Sequence, residues 1–424
     1  MKKALKGLGI IVGLVILFFV IVYVSNNESQ PTGEKGDKAE QMALKIQRAI
    51  NQKAFDNTEV LEWSFRNKNY YTWYKAAGYV EVSWDGNKVK LYPNNKDKSE
   101  ILANPSNAFE AELILYAYNN FNNDSFWLVA PYKIMDEGTE RSIVNMDGKE
   151  QLMVTYTSGG STPGDSYLWE VDSNFVPVSY KMWTSIIPIG GVGATWNNLQ
   201  KTEAGILLPT SHTLSLMGME IPMGEVKAYN PDANAFAEKI LDRIKHENYK
   251  TTNTIEWSFG GRRHFKWNKK EHIVDVSWDT IRVNLYPEAR EKSTVYFNDK
   301  KQETADTKIV KRAWDIFNND NYWLVAPHKI FDDGVVRSLT TIEGKTALEV
   351  NFTKGGTTPG DSYIWMVDST YLPVKYFMTV PSMRMTKVPA TWDEWFTTES
   401  GTLLPKNHTF SSGRSLSMGD VKAY

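Results

Sequence analysis

Apolar and polar positions follow two periods along this chain, and the order of those periods occurs twice. Near residue 40 the period is helical: AEQMALKIQRAINQKA puts Met42, Ile46, Ala49 and Ile50 on one face. From residue 60 the period shortens to two. Leu61, Trp63 and Phe65 point one way, as do Val80, Val82 and Trp84, and then Val89 and Leu91. A second helical stretch, FEAELILYAYNNF, follows. Beyond it the pattern predicts strands at FWLVA, RSIVNM, EQLMVTY, SYLWEVD, PVSYKMW, ATWNNLQKT and LLPTSHTLSLM. Turn formers such as Asp147-Gly148 and Ser158-Gly159-Gly160 separate them, and Pro131 is read as the stop of the FWLVA strand. The second half opens on AFAEKILDRIKHE, with Phe236, Ile240, Leu241 and Ile244 on one face, and carries TKIVKRAWDIF as its second helix. Helices placed early and midway in a long antiparallel meander predict an α+β domain with one large curled sheet. One face of that sheet is expected to wrap a helix or an apolar cavity.

The two halves also agree residue by residue. Trp63-Ser64-Phe65 returns as Trp257-Ser258-Phe259, and NNDSFWLVAPYKIMDEG (122–138) returns as NNDNYWLVAPHKIFDDG (318–334). GGSTPGDSYLWEVDS (159–173) matches GGTTPGDSYIWMVDS (355–369). Both halves close on Val-Lys-Ala-Tyr, and the offset stays between 194 and 196. This is a tandem domain duplication, because the period is far too long for a solenoid. The copies are 39–229 and 230–424, divided at the turn-prone Asn230-Pro231-Asp232.

The N-terminus follows another pattern. Lys2, Lys3 and Lys6 precede a stretch, 7–27, without a charge, which is long enough to cross a bilayer as a helix. No basic residue follows until Lys35, so the positive-inside rule keeps residues 1–6 in the cytoplasm and exports the rest. A single-pass inner-membrane protein with residues 28–424 in the periplasm is expected. A cleaved signal peptide is the alternative, although its usual apolar core is shorter and no small-x-small site follows. Residues 28–38 are polar and read as a flexible linker. The absence of cysteine excludes disulfides, thiolate metal sites and a cysteine nucleophile. A net charge of -2 gives no footprint for nucleic acid.

Candidate chemistry is sparse. Lys133, Asp136 and Arg141, with Lys329, Asp332 and Arg337 in the same places of the second copy, form a polar cluster suited to an anionic group or to plain surface ion pairs. GGSTPGDSY lacks the Gly-Lys-Ser/Thr ending of a phosphate loop and reads as a hairpin loop. The six histidines show no metal-binding spacing, and His212 and His408 each stand alone on a strand. No cofactor is expected. Twelve of the fifteen tryptophans fall into equivalent pairs, which places them on one face of the sheet. Trp63, Phe65, Trp84 and Trp127, with Trp257, Phe259, Trp278 and Trp323, either fill a dry core or line an apolar ligand site. The segment WTSIIPIGGVGA (183–194) reads as a lid or membrane-touching loop, and Met383 and Met385 stand in the corresponding segment of the second copy.

The opening helix, the WSF and VSWD strands, FWLVAP after the second helix and the Val-Asp-Ser-x-x-x-Pro-Val segments at 171 and 367 resemble the LolA/LolB-like lipoprotein-carrier superfamily. The likeness covers both copies, and the FWLxxPYKxxDxG signature is similar to an envelope branch of Bacteroidetes-type bacteria. It implies two unclosed half-barrels with helices packed in or on their concave faces. It further implies binding of a lipid or lipoprotein acyl chain without covalent chemistry. Anchoring and duplication depart from soluble single-domain carriers, and fit handing on or sensing a ligand beside the membrane. An envelope scaffold with a filled core and a protein partner is the alternative, and a hydrolase using the acidic loops is the third.

Overall fold

The computed structural model describes residues 23–146, 148–158, 162–354, 357 and 360–424. The expected membrane segment falls largely on residues outside these. Among the described residues no helix is long and apolar enough to cross a membrane. The chain divides into two compact units, the first ending at Tyr229 and the second spanning Asn230–Tyr424.

The first unit begins with the helix Asp37–Ala49, which buries Ala39, Ala43 and Ile46, with Ile50 just beyond. The buried stripe is therefore rotated from the expected Met42-centred face. Two alanines let the helix backbone lie close to the sheet, and larger side chains such as Met42 flank the contact. Strands Val60–Phe65, Asn69–Tyr74, Tyr79–Trp84, Asn87–Leu91 and Glu100–Ala103 form a meander. Lys227–Tyr229 returns to pair with the first of them, with Leu61 opposite Ala228. Asp85 (φ 45°) and Gly86 (φ 82°) make the tight turn between Trp84 and Asn87. Both central residues are left-handed, as a two-residue hairpin of this hand requires.

The long helix Glu110–Val129 corrects the expected FWLVA strand. It runs through Phe126 and Trp127 and ends in the 3-10 turn Ala130–Lys133, so Pro131 belongs to that turn and stops no strand. Leu113, Ala117, Phe121, Asp124, Leu128 and Val129 are its buried positions. Their spacing is helical and continuous, and it outweighs the strand preference of the aromatic pair. A second meander follows: Thr139–Met146, Lys149–Tyr156, Ser166–Val171, Pro177–Trp183 and Val192–Thr195. The strands thus form two separate open sheets of six and five strands, where one large sheet was expected, and small two-stranded ribbons complete the unit. The long helix intervenes between the two meanders in the chain and packs in the core that both sheets share.

The second unit repeats this order with seven- and five-stranded sheets, an opening helix Pro231–Arg243 and a long helix Thr307–Val325. The cores differ. In the first unit one apolar cluster runs from the opening helix through both sheets. In the second, one cluster joins the first sheet to the long helix and another joins the opening helix to the second sheet, and Trp323 packs against both.

Residues 28–38 are not a free linker. The backbones of Glu34 and Ile143 exchange two hydrogen bonds of 2.8 Å, and Gln30 donates to Ser166 Oγ at 3.1 Å. Lys35 pairs with Glu140 at 2.7 Å. The segment is fastened across the five-stranded sheet.

Candidate functional site

The gap between the two core clusters of the second unit is a cavity of about 600 Å³. The long helix supplies Phe317, Tyr322 and Trp323 to its wall, and the strands supply Phe259, Trp267, Phe352, Tyr363 and Met378. Val380, Met383, Met385 and Phe410 add to the apolar lining. The rings brace one another: Tyr322 lies 4.5 Å from Tyr363 and 5.5 Å from Phe352, and Trp323 lies 5.7 Å from Phe410. Arg263, Glu288, Lys329, Asp332, Asp333, Lys354 and Asp361 add charged side chains, with His272 beside them. Several are already paired: Lys329 with Asp332, Lys354 with Asp333, and Arg263 with Asp320 at 2.8 Å. An apolar chamber whose polar rim is largely ion-paired suits an apolar ligand that carries a small polar group.

The aromatic residues singled out in the sequence divide between core and cavity. Trp63 stacks on Tyr71 at 4.6 Å, and Trp257 on Phe265 at 4.5 Å. Trp84 stacks on Tyr116 at 4.4 Å, and Trp278 lies under the Arg312 guanidinium. All four tryptophans are buried between the first sheet and the long helix. Phe65 and Trp127 are half-buried, 6.2 Å apart, in the first unit. Phe259 and Trp323, 6.3 Å apart, face the cavity.

The polar cluster also divides. Lys133 and Asp136 form a half-exposed pair at 2.5 Å, and Lys329 and Asp332 repeat it at the cavity rim. The arginines turn inward. Arg141 Nε donates to both Glu40 oxygens at 2.8 and 2.9 Å and its Nη1 to the Ile134 carbonyl at 3.0 Å. Arg337 Nε donates to Asn234 Oδ1 at 2.7 Å and its Nη1 to the Ile330 carbonyl at 2.8 Å. Each arginine fastens the 3-10 turn to the opening helix of its own unit.

The structure adds buried polar groups that the sequence reading passed over. Asp124 is 1% exposed and accepts from Asn69 at 3.0 Å, Tyr71 at 2.5 Å and Asn123 at 2.8 Å. Burial raises its pKa, against those hydrogen bonds. In the second unit Arg263 and Phe265 replace Asn69 and Tyr71, and the equivalent Asp320 is held by the guanidinium. Burial raises its pKa to about 6. The signal was in the helical period: an aspartate on the apolar stripe of a helix is either paired or functional. His328 is a second such group. It stacks on Tyr249 at 4.3 Å, and its Nε2 donates to the Leu403 carbonyl at 3.1 Å. That leaves Nδ1 as the acceptor for His246 Nδ1–H at 3.3 Å. Burial drives the His328 pKa down to about 3.

No protein family and no curated protein matches the chain. Among solved structures, a DUF1329 family protein from Desulfovibrio piger aligns with 45% of this chain and 93% of its own, at 12% identity and a TM-score of 0.26.

Proposed function

We propose that this chain is an extracytoplasmic, membrane-anchored binding protein for a lipid or an acyl chain, and that the second unit holds the ligand. The observation that supports this reading is the cavity of about 600 Å³ walled by aromatic and methionine side chains. Its size lies within the range of about 300–1,000 Å³ usual for small-molecule sites. Burial of apolar surface, at roughly 25 cal/mol per Å², supplies the affinity without covalent chemistry. Met378, Met383 and Met385 give part of the wall an adaptable surface, suited to a chain of variable shape. In this reading each unit is an unclosed half-barrel akin to the lipoprotein carriers of the LolA/LolB type, with its two sheets as the walls.

The scaffold reading is favoured for the first unit by one observation: its main apolar cluster runs unbroken from the opening helix through both sheets. The two copies then differ in role, the first a filled support and the second a receptor. The test is mass spectrometry of organic extracts from protein purified from its native envelope. A lipid present in stoichiometric amount supports the receptor reading and names the ligand class. A protein that carries no specific lipid, and whose melting temperature ignores added lipids, makes both units scaffolds.

A further inference from the structure

The strap 27–34 and the loop Trp183–Gly191 are built to meet each other. Glu28 N–H donates to the Gly190 carbonyl at 2.9 Å, and Gly190 N–H donates to Asn27 Oδ1 at 2.8 Å. Trp183 Nε1 donates to the Glu28 carbonyl at 2.9 Å, and Lys181 clasps both Glu28 carboxylate oxygens at 2.7 and 2.8 Å. The glycines are required by this contact. A Cβ on Gly190 would fall 2.6 Å from the Glu28 carbonyl oxygen, and one on Gly191 would fall 2.7 Å from Glu28 Cβ. From there the strap crosses the outer face of the five-stranded sheet to Ser166 and then Ile143 at its edge.

The fastened end is where the uncharged stretch 7–27 stops. Of its described residues, 23–27, the first four are helical, and Asn27 N–H donates to the Tyr23 carbonyl at 2.8 Å. Four helical residues rise about 6 Å. A headgroup layer is roughly 5–8 Å deep on each side of the hydrocarbon. If Tyr23 marks the hydrocarbon edge, Gly190 therefore lies about one headgroup layer away. Beside it the surface is apolar. Ile186 is 65% exposed and Met217 is 80% exposed. The Ala194–Leu214 bridge and the Ser215-to-Gly193 hydrogen bond run the two segments antiparallel, which brings Met217 toward Gly191. Tyr23 and Trp183 are the amphipathic aromatic types that settle at the membrane interface.

We propose that the loop Trp183–Gly191 and the hairpin tip at Met217 rest in the lipid surface of the membrane that residues 7–22 enter. The docked strap fixes the first unit against that surface. The inference rests on the reading of 7–27 as an anchor, and it adds a seated orientation where a free linker would allow any.

The chain has no cysteine, so single cysteines report cleanly. Full-length chains carrying Ile186→Cys, Met217→Cys or Ser173→Cys are labelled with an environment-sensitive fluorophore in phosphatidylethanolamine/phosphatidylglycerol vesicles. Ser173 lies at the opposite end of the Ser166–Val171 and Pro177–Trp183 hairpin and serves as the control. The expected result is blue-shifted emission at 186 and 217, quenched by lipids spin-labelled near the headgroup, with neither effect at 173. Solvent-like emission at 186 and 217 from chains that float with the vesicles overturns the proposal and leaves the anchor standing. Chains that fail to float overturn both. Adding Gly190→Val must abolish the 186 signal while flotation persists; an unchanged signal overturns the role given to the strap.

Discussion

At the scale of single residues, the duplication compares two solutions to one problem. A carboxylate sits on the buried face of a helix in both units. In the first, Asn69 and Tyr71 on the sheet, with Asn123 on the helix, hold Asp124; in the second, the Arg263 guanidinium takes the place of the two sheet donors on Asp320. The Asp320 pKa of about 6 lies above its value in an unfolded chain, near 3.9. Between those values the folded state keeps a proton that the unfolded chain has released. This contribution to stability is complete below about pH 4 and lost as pH rises through 6, and two pH units amount to about 3 kcal/mol. Asp320→Asn removes the titration, so the variant should gain about 2 kcal/mol on wild type between pH 4.5 and 7.5, read from urea melts. A gain absent over that interval refutes the assignment. A second pair concerns tyrosine hydroxyls. Those of Tyr180 and Tyr376 are buried and have no hydrogen-bond partner among the described residues. An unmet buried hydroxyl costs roughly 1–3 kcal/mol. Tyr180→Phe and Tyr376→Phe should therefore be neutral or stabilising in thermal melts, and a loss above about 1 kcal/mol would reveal a bound partner.

At the scale of elements, a histidine pins the end of each long helix. His212 Nδ1 lies 2.8 Å from the Thr195 carbonyl oxygen and its Nε2 lies 2.8 Å from that of Trp127. His408 repeats this on Thr391 and Trp323 at 2.8 and 2.7 Å. Burial pulls both rings below the ordinary histidine pKa, and the carbonyls pull the other way. Burial outweighs both carbonyls, so each ring is neutral at pH 7, its one N–H donating to one carbonyl while the bare nitrogen faces the other. Nitrogen NMR at pH 7 should find one protonated and one unprotonated nitrogen in each ring. The folded pKa lies below the unfolded one, so the linked stability is present above the unfolded pKa and is lost as pH falls through the folded value. Two protonated nitrogens at pH 7 would overturn the neutral form. In either form His212→Phe strands two buried carbonyls, at about 2–5 kcal/mol in a denaturant melt. Much of this level was legible. The repeat, the meanders and both helices of each copy followed from period and turn chemistry. The run FWLVA was misread because aromatic strand preference was weighed above a helical stripe that continued through it. The histidines looked solitary because their partners are backbone atoms 17 and 85 residues away, which spacing along the chain does not reveal.

At the scale of the molecule, one sequence plan has produced one main core that runs through both sheets and one that is divided between them. The substitutions that accompany the division lie along the cavity. Ile187, Ile189 and Leu214 pack on the core of the first unit, and Met383, Met385 and Phe410 line the cavity in the corresponding places. The paired tryptophans were visible in the sequence, but which of them face open space was not. That depends on whether two sheets and a helix close on each other, a matter of summed volume that no single position encodes. The receptor reading therefore makes a paired prediction. Val380 lines the cavity, and Thr184 is its counterpart in the first unit. Val380→Trp fills ligand space, so it should abolish the rise in melting temperature that added lipid gives the wild type. Its own melting temperature in lipid-free buffer should stay level or climb, because a filled void regains contacts. Thr184→Trp should leave the lipid response intact. A lipid present at 100 times its Kd stabilises the wild type by about 2.7 kcal/mol, well above the scatter of such melts. Equal lipid responses in all three proteins would place the ligand outside this cavity, and the divided core would then be an accident of drift between the copies.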